Sequence, residues 1–236
     1  MQQWLTQSGI SITRLISIRS GVFLVSKADR HVLVDTSSSR AWRILQKKLT
    51  KMGIEHLDAL VLTHAHYDHA GNAKRIRDRY GATVIIHSAD AAYLREGKNP
   101  PINGTNFLLR PLVRLLGGSI LQKEAYSPCP PDLIITDFFH FRSGDLELRL
   151  LPTPGHTQGS ISILVDDEIT LAGDTLFGVF PRSTFPPFAQ DVPTLIKSWQ
   201  RLLETHCTLF LPAHGGKILR KVLERNYSKR KETGEG

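Results

Sequence analysis

One run of nine residues constrains this chain more than any other: Thr63-His64-Ala65-His66-Tyr67-Asp68-His69-Ala70-Gly71. It puts three imidazoles and a carboxylate into six consecutive positions, directly after the short apolar segment Asp58 to Leu62. Imidazole nitrogens and carboxylate oxygens are the donors that borderline metals such as zinc take. From composition, such a run arises by chance on the order of once in a thousand chains of this length. A fold that accommodates it must deliver a strand end, and these donors with it, to one shared point.

The flanking sequence predicts an α/β architecture. Segments Ile10 to Ile18, Gly21 to Val25 and His31 to Asp35 read as strands. Ser39 is expected to cap a helix whose apolar face carries Trp42, Leu45, Leu49 and Met52, with Gly53 closing it. Beyond the histidine run, a helix Asn72 to Tyr80 ends at Gly81 and leads to strand Thr83 to Ile86. The second half predicts strands Leu146 to Leu151, Ser160 to Val165 and Ile169 to Ala172, the last two joined as a hairpin by Asp166-Asp167-Glu168. A helix capped by Asp191, with Pro193 in its first turn, follows. Strand Thr208 to Leu211 and a helix from about Gly216 complete the pattern. Residues 97–131 interrupt it; their apolar stretch Phe107 to Leu116 reads as a helical insertion, too apolar for a linker.

Three further donors follow predicted strands: His156 in Thr153-Pro154-Gly155-His156, Asp174 in Ala172-Gly173-Asp174-Thr175, and His214 in Pro212-Ala213-His214-Gly215. Ligands at the carboxyl ends of several strands converge on one sheet edge, where α/β proteins commonly place their sites. With His64, His66, Asp68 and His69 they make seven donors, enough for two ions sharing one carboxylate. His31, His56, His140 and His206 read as structural, and His87, at a strand end, could line the site.

Composition narrows the partners. The net charge is +8 and the pI about 9.7, which suits an anionic substrate or nucleic acid. The positive residues are scattered, and no basic stripe interleaved with aromatics marks a nucleic-acid module. Cys129 and Cys207 form no disulfide framework and read as reduced thiols. No apolar run approaches the roughly 20 residues that span a bilayer. The first nine residues have no basic or apolar signal region, so the cytoplasm is the expected compartment.

With these motifs in hand, the chain resembles the metallo-β-lactamase-fold superfamily over nearly its whole length, through Thr63 to Gly71, Pro154 to Ser160, Gly173 to Phe177 and Pro212 to Gly215. The resemblance implies one domain, residues 1–236, folded as a four-layer αβ/βα sandwich with metals at one edge. It implies His64, His66 and His156 on a first divalent ion, Asp68, His69 and His214 on a second, and Asp174 between them. Zinc is the expected metal, with Mn2+ or Fe2+ as alternatives.

Two such ions acidify a shared water to hydroxide near neutral pH, and the hydroxide attacks a carbonyl or phosphorus centre. Asp68 is the candidate catalytic residue, orienting that hydroxide and taking its proton. True β-lactamases of the superfamily typically have cysteine where Asp174 stands, so a main substrate other than a β-lactam is expected. Gly173-Asp174-Thr175-Leu176-Phe177 is similar to the matching segment of glyoxalase II, a glutathione thioesterase. Only 22 residues follow His214, however, too few for that enzyme's added helical region. Quorum-quenching lactonases share the ligand set but place a tyrosine where Phe177 lies. A thiolate leaves without much acid help whereas an alkoxide profits from a donor. The expected substrate is therefore a thioester, an activated ester or a lactone, with Tyr67, Phe177 and Arg182 as candidate contacts. The rival readings are a mononuclear-iron oxidoreductase of the persulfide dioxygenase type and a phosphodiesterase.

Overall fold

A computed structural model describes residues 2–17, 19–105, 125–180 and 182–232. Strands β1 (Gln2–Leu5), β2 (Ser11–Ile16), β3 (Val22–Lys27), β4 (Arg30–Val34), β5 (Ala59–Val61), β6 (Thr83–His87) and β7 (Leu133–Ile135) form one sheet in sequence order. Pairing is antiparallel from β1 to β4 and parallel from β4 to β7. The second sheet runs in reverse sequence order through β13 (Ile218–Leu219), β12 (Leu209–Pro212), β11 (Ile169–Gly173), β10 (Ile161–Val165), β9 (Leu146–Pro152) and β8 (Phe139–Ser143). Its β11–β12 pair is parallel and the others are antiparallel.

The strands are apolar on both faces because each sheet is covered on both sides. Along β3, Val22 and Leu24 enter the outer core with helices α1 (Trp42–Lys51), α3 (Ala73–Tyr80) and α4 (Ser88–Glu96), while Phe23 and Val25 enter the core between the sheets. Strands β4 to β6 repeat the alternation with Leu33, Leu60, Val84 and Ile86 outward and Val32, Val34, Val61 and Ile85 inward. In the second sheet, Ile161, Ile163 and Leu171 face the first sheet, and Leu164, Ala172 and Phe210 pack on helices α5 (Val192–Glu204) and α6 (Arg220–Glu232). Three cores between four layers result, and each buried Leu, Ile or Val contributes roughly 1.5–3 kcal/mol. This is the expected α/β four-layer sandwich.

Several local readings need correction. Ser39 does not cap α1: a 3-10 turn, Ser39–Ala41, precedes the helix, and neither Ser38 nor Ala41 supplies a side-chain cap. The last helix starts at Arg220 and not at Gly216, because Ile218 and Leu219 pair with Phe210 and Leu209 as an edge strand. Strands β1, β7, β8 and β13, helix α4 and the one-turn helix α2 (Tyr67–Ala70) were not expected. The hairpin between β10 and β11 is as read, with Asp166 and Asp167 both at positive φ and Glu168 N donating to Val165 O. Phe107 to Leu116 lies outside the described residues. The flanks of that insertion, 97–105 and 125–131, press on the histidine run: Tyr126 Oη donates to Ala65 O at 2.7 Å, and Asn99 Oδ1 accepts from Tyr67 N.

Candidate metal centre

The four donor-bearing segments leave the sheets at one edge. His64, His66, Asp68 and His69 follow β5, His156 lies between β9 and β10, Asp174 directly follows β11, which spans Ile169–Gly173, and His214 follows β12. Close backbone contact between segments brings them together. Gly173, at φ +51°, sits where a Cβ would lie 2.8 Å from Thr63 Cβ. Gly155, at φ +132°, sits where a Cβ would lie 2.4 Å from the backbone of Leu195. Only glycine fits either place.

All seven predicted donors meet. His66 Nδ1 is 3.0 Å from His156 Nε2. Asp174 Oδ1 is 3.4 Å from His69 Nε2, and its Oδ2 lies 3.6 Å from His156 Nε2 and 3.3 Å from His214 Nε2. Asp68 Oδ2 is 3.5 Å from His214 Nε2. Donor atoms of His64, His66 and His156 lie within 4.8 Å of one another, as do those of Asp68, His69 and His214, and those of His64, His69 and Asp174. The Asp174 carboxylate thus reaches both sets of imidazoles.

His64 Nε2, His69 Nε2 and Asp174 Oδ1 are buried with no hydrogen-bond partner. An unsatisfied buried polar atom costs about 1–3 kcal/mol, so three converging on one point call for a shared partner. Ring nitrogens and carboxylate oxygens all present lone pairs to a divalent cation, and the set fits one. This donor chemistry has no thiolate in it: Cys129 and Cys207 are buried elsewhere, and burial pushes the Cys129 thiol up to about 11.

Electrostatics sort the imidazoles into two kinds. Burial holds His64 and His66 well below the usual imidazole range, and the neighbouring imidazoles reinforce it. His156 is also lowered by burial, against the pull of Asp174. Burial acts the same way on His69, but Asp174, Asp35 and Asp68 outweigh it and raise the group to about 10. His214 is raised by Asp174 against burial, and Asp174 itself is held well below the carboxylate range by His214 and His69 despite its burial.

A supporting layer was not anticipated. Asp35, at positive φ just after β4, accepts from His69 Nδ1 at 2.8 Å and from Thr63 N and Oγ1, both at 2.8 Å. Asp90 on α4 accepts from Ala65 N, Thr157 Oγ1 and Gly159 N, tying the histidine run to the His156 loop. His66 Nε2 meets Pro100 O at 3.2 Å and His156 Nδ1 meets Phe188 O at 2.9 Å, which fixes which nitrogen of each ring faces inward. Asp35 was open to discovery as one more acidic residue ending a strand at this edge. Asp90 carried no such signal, because its helix was not recognised.

The candidate substrate contacts separate. Phe177 lies over His214 with ring centroids 5.2 Å apart, and Phe180 continues the aromatic surface 6.1 Å further on. Val179 and Phe180 are about half exposed, at 51% and 54%, and Phe188, whose carbonyl meets His156 Nδ1, is exposed as well. Arg182 is exposed on the same loop. Tyr67 packs its ring against the outer core of the first sheet. His87 caps α4 through Nδ1 and meets Thr136 O through Nε2, a structural role.

A four-layer sandwich with an imidazole–carboxylate cluster at one edge defines a class of metal-centred α/β proteins. The family model described as the metallo-beta-lactamase superfamily matches residues 20–214, and the chain belongs to that superfamily. A "Probable metallo-hydrolase" of Methanocaldococcus jannaschii is 26% identical over 149 residues, covering 63% of this chain and 63% of its own length. The chain thus spans a little under two thirds of that relative. The "Probable metallo-hydrolase YqgX" of Bacillus subtilis is 31% identical over 161 residues, covering 66% of this chain and 68% of its own. Among solved structures, an archaeal superfamily protein from Sulfolobus tokodaii matches 94% of this chain and 86% of its own at 23% identity and a TM-score of 0.67. The metallo-beta-lactamase SMB-1 matches 99% and 95% at 18% identity and a TM-score of 0.70. At those identities the structures speak for the fold alone.

Proposed function

We propose that this protein is a metal-dependent hydrolase of a small ester-type substrate: a thioester, an activated ester or a lactone. The observation that carries the reading is the convergence of three orphaned buried atoms, His64 Nε2, His69 Nε2 and Asp174 Oδ1, inside a ring of seven donors. The names of its metallo-hydrolase relatives agree with it. In this reading His64, His66 and His156 would hold one divalent ion and Asp68, His69 and His214 a second. Asp174 would serve both, and zinc is the first candidate metal. Such ions lower the pKa of water and polarise a carbonyl.

The chain's own residues do the rest. Asp68 is the more accessible of the two carboxylates, with its side chain 17% exposed against 10% for Asp174. Its carboxylate would take a proton from the attacking water and return it to the leaving group. Asp35 and the Pro100 and Phe188 carbonyls hold the imidazoles in orientation. Phe177, over His214, and Phe180 beside it would receive the carbon part of the substrate, and Arg182, exposed on the same loop, would meet an anionic end.

The test is metal quantification on purified protein together with a panel of thioesters, lactones, aryl esters and phosphodiesters. Activity lost to a chelator and restored by zinc or manganese supports the reading. A single iron with thiol-dependent oxygen uptake, and no hydrolysis anywhere in the panel, overturns it.

A further inference from the structure

A single arginine is buried where its neighbours along the strand are apolar. Ile10 and Ile12 face the core between the sheets, and Arg14 stands two residues further along the same face of β2. It is 7% exposed, and burial, with no carboxylate to oppose it, lowers the group from the usual guanidinium range. The guanidinium lies against the Phe23 ring, 5.1 Å from its centroid. Its donors go to the carbonyls of one segment: Nη1 to Gly215 O at 2.7 Å, and Nη2 to Pro212 O at 2.8 Å and Ala213 O at 3.4 Å. Those carbonyls flank His214 on both sides. Taking an unpaired charge out of water is costly, and Arg14 Nε is left without a partner. An aliphatic side chain, as at Ile10 and Ile12, would fill this space without that cost. What it could not do is span the His214 segment with a rigid fork of charge-assisted bonds.

We infer that Arg14 is a positioning residue for the second metal ion, fixing His214 against Asp68 by holding the carbonyls on either side of it. The rest of the β2–β3 hairpin acts in the same place. Ser20 Oγ donates to Asp68 O, and Gly21 N donates to Ala213 O at 2.7 Å. Gly21 packs so closely that a Cβ there would lie 3.0 Å from Ala213 O and 3.1 Å from Arg14 Nη2. One hairpin therefore grips the two backbone segments whose side-chain atoms, Asp68 Oδ2 and His214 Nε2, stand 3.5 Å apart. The first-ion donors are held by other parts of the chain: His66 by Pro100 O, and His156 by Phe188 O. Arg14 thus acts on one half of the centre. Its role rests on the two-ion reading of the donors and not on the ester substrate, so a protein that binds two ions and hydrolyses nothing leaves it standing. Coulomb's law separates this role from a mere charge effect. Removing a cation near a dication tightens metal binding, whereas releasing His214 weakens it.

Chelator-buffered zinc titration of the full chain, followed through the imidazole 15N shifts, reads each histidine ring separately and tests this. In Arg14→Met, His69 and His214 should need about tenfold or more free zinc to respond, while His64, His66 and His156 stay within about twofold of wild type. Arg14→Lys keeps the charge and the stem, but one ammonium does not reproduce the fork between Pro212 O and Gly215 O. It should show the same selective loss, severalfold in size, and it serves as the test if the methionine variant fails to fold. Equal weakening of both sets of rings, together with a lower Tm of the metal-free protein, would reduce Arg14 to a structural residue and overturn the inference. Tighter zinc binding in Arg14→Met, or wild-type response of His69 and His214 in either variant, would overturn it as well. So would a wild-type protein whose His69 and His214 rings never respond to zinc.

Discussion

Replacing Asp35 with asparagine separates the role of the supporting layer from simple folding. In the native protein Asp35 Oδ1 accepts from Thr63 N, while Oδ2 accepts from Thr63 Oγ1 and His69 Nδ1. An asparagine can keep its oxygen on Thr63 N and turn its NH2 toward the other two partners. Thr63 Oγ1 can accept from that NH2, but His69 Nδ1 can do so only in the tautomer that carries its proton on Nε2. That proton occupies the lone pair a cation needs. Metal binding in the variant must therefore restore Nδ1–H against the amide NH2, leaving two donors face to face in a fully buried place. The penalty for such an unmade buried bond is about 1–3 kcal/mol, or roughly 5- to 150-fold in Kd. Loss of an outer partner to a metal-bound histidine costs about 10–100-fold. We therefore expect Asp35→Asn to weaken zinc by about 10–100-fold in a chelator competition titration. Its metal-free urea midpoint should shift little, because the amide still finds partners. A metal affinity within twofold of wild type, or equal losses of metal-free stability and affinity, would refute this account of His69.

Four further outcomes follow from the same geometry. His69 is raised to about 10, so a cation must displace a proton from it near neutral pH, and His214 is shifted in the same direction. Zinc affinity should rise with pH, and binding should release protons; calorimetry whose apparent heat is independent of the buffer's ionisation enthalpy would contradict this. Asp68→Asn should bind metal but lose about 100-fold or more in turnover, and near-normal rates at near-normal metal content would remove Asp68 from the chemistry. Removing metal whose free concentration was about 100 times Kd should cost about 2.7 kcal/mol, seen as roughly 5–10 °C in Tm. Gly155→Ala forces a Cβ to within 2.4 Å of the Leu195 backbone and strains φ +132°. A loss of about 1–3 kcal/mol or more in urea unfolding, with weakened metal binding through His156, is expected.

The amino-acid order by itself determined the two-sheet sandwich and the donors. Continuous Val, Ile and Leu runs mark strands buried on both faces, and the histidine run with three later donors after strands marks one edge. That much is local: a strand's face pattern and a ligand's chemistry are written within a few residues. The edge strands β1, β8 and β13 were not legible, because a short strand on a sheet edge is held by its neighbour more than by its own pattern. The Ser39 cap failed for a related reason, since the 3-10 turn before α1 is set by how residues 35–38 leave β4.

Only the tertiary structure decided which groups serve the donors. Asp35 and Asp90 are acidic residues like many others in the chain until folding buries them against Thr63, Ala65 and His69. It also separated Phe177, over His214, from Tyr67, whose ring leans into the outer core. A hydrogen bond between residues dozens of positions apart depends on distances that no stretch of sequence contains, because the packing of whole layers sets them.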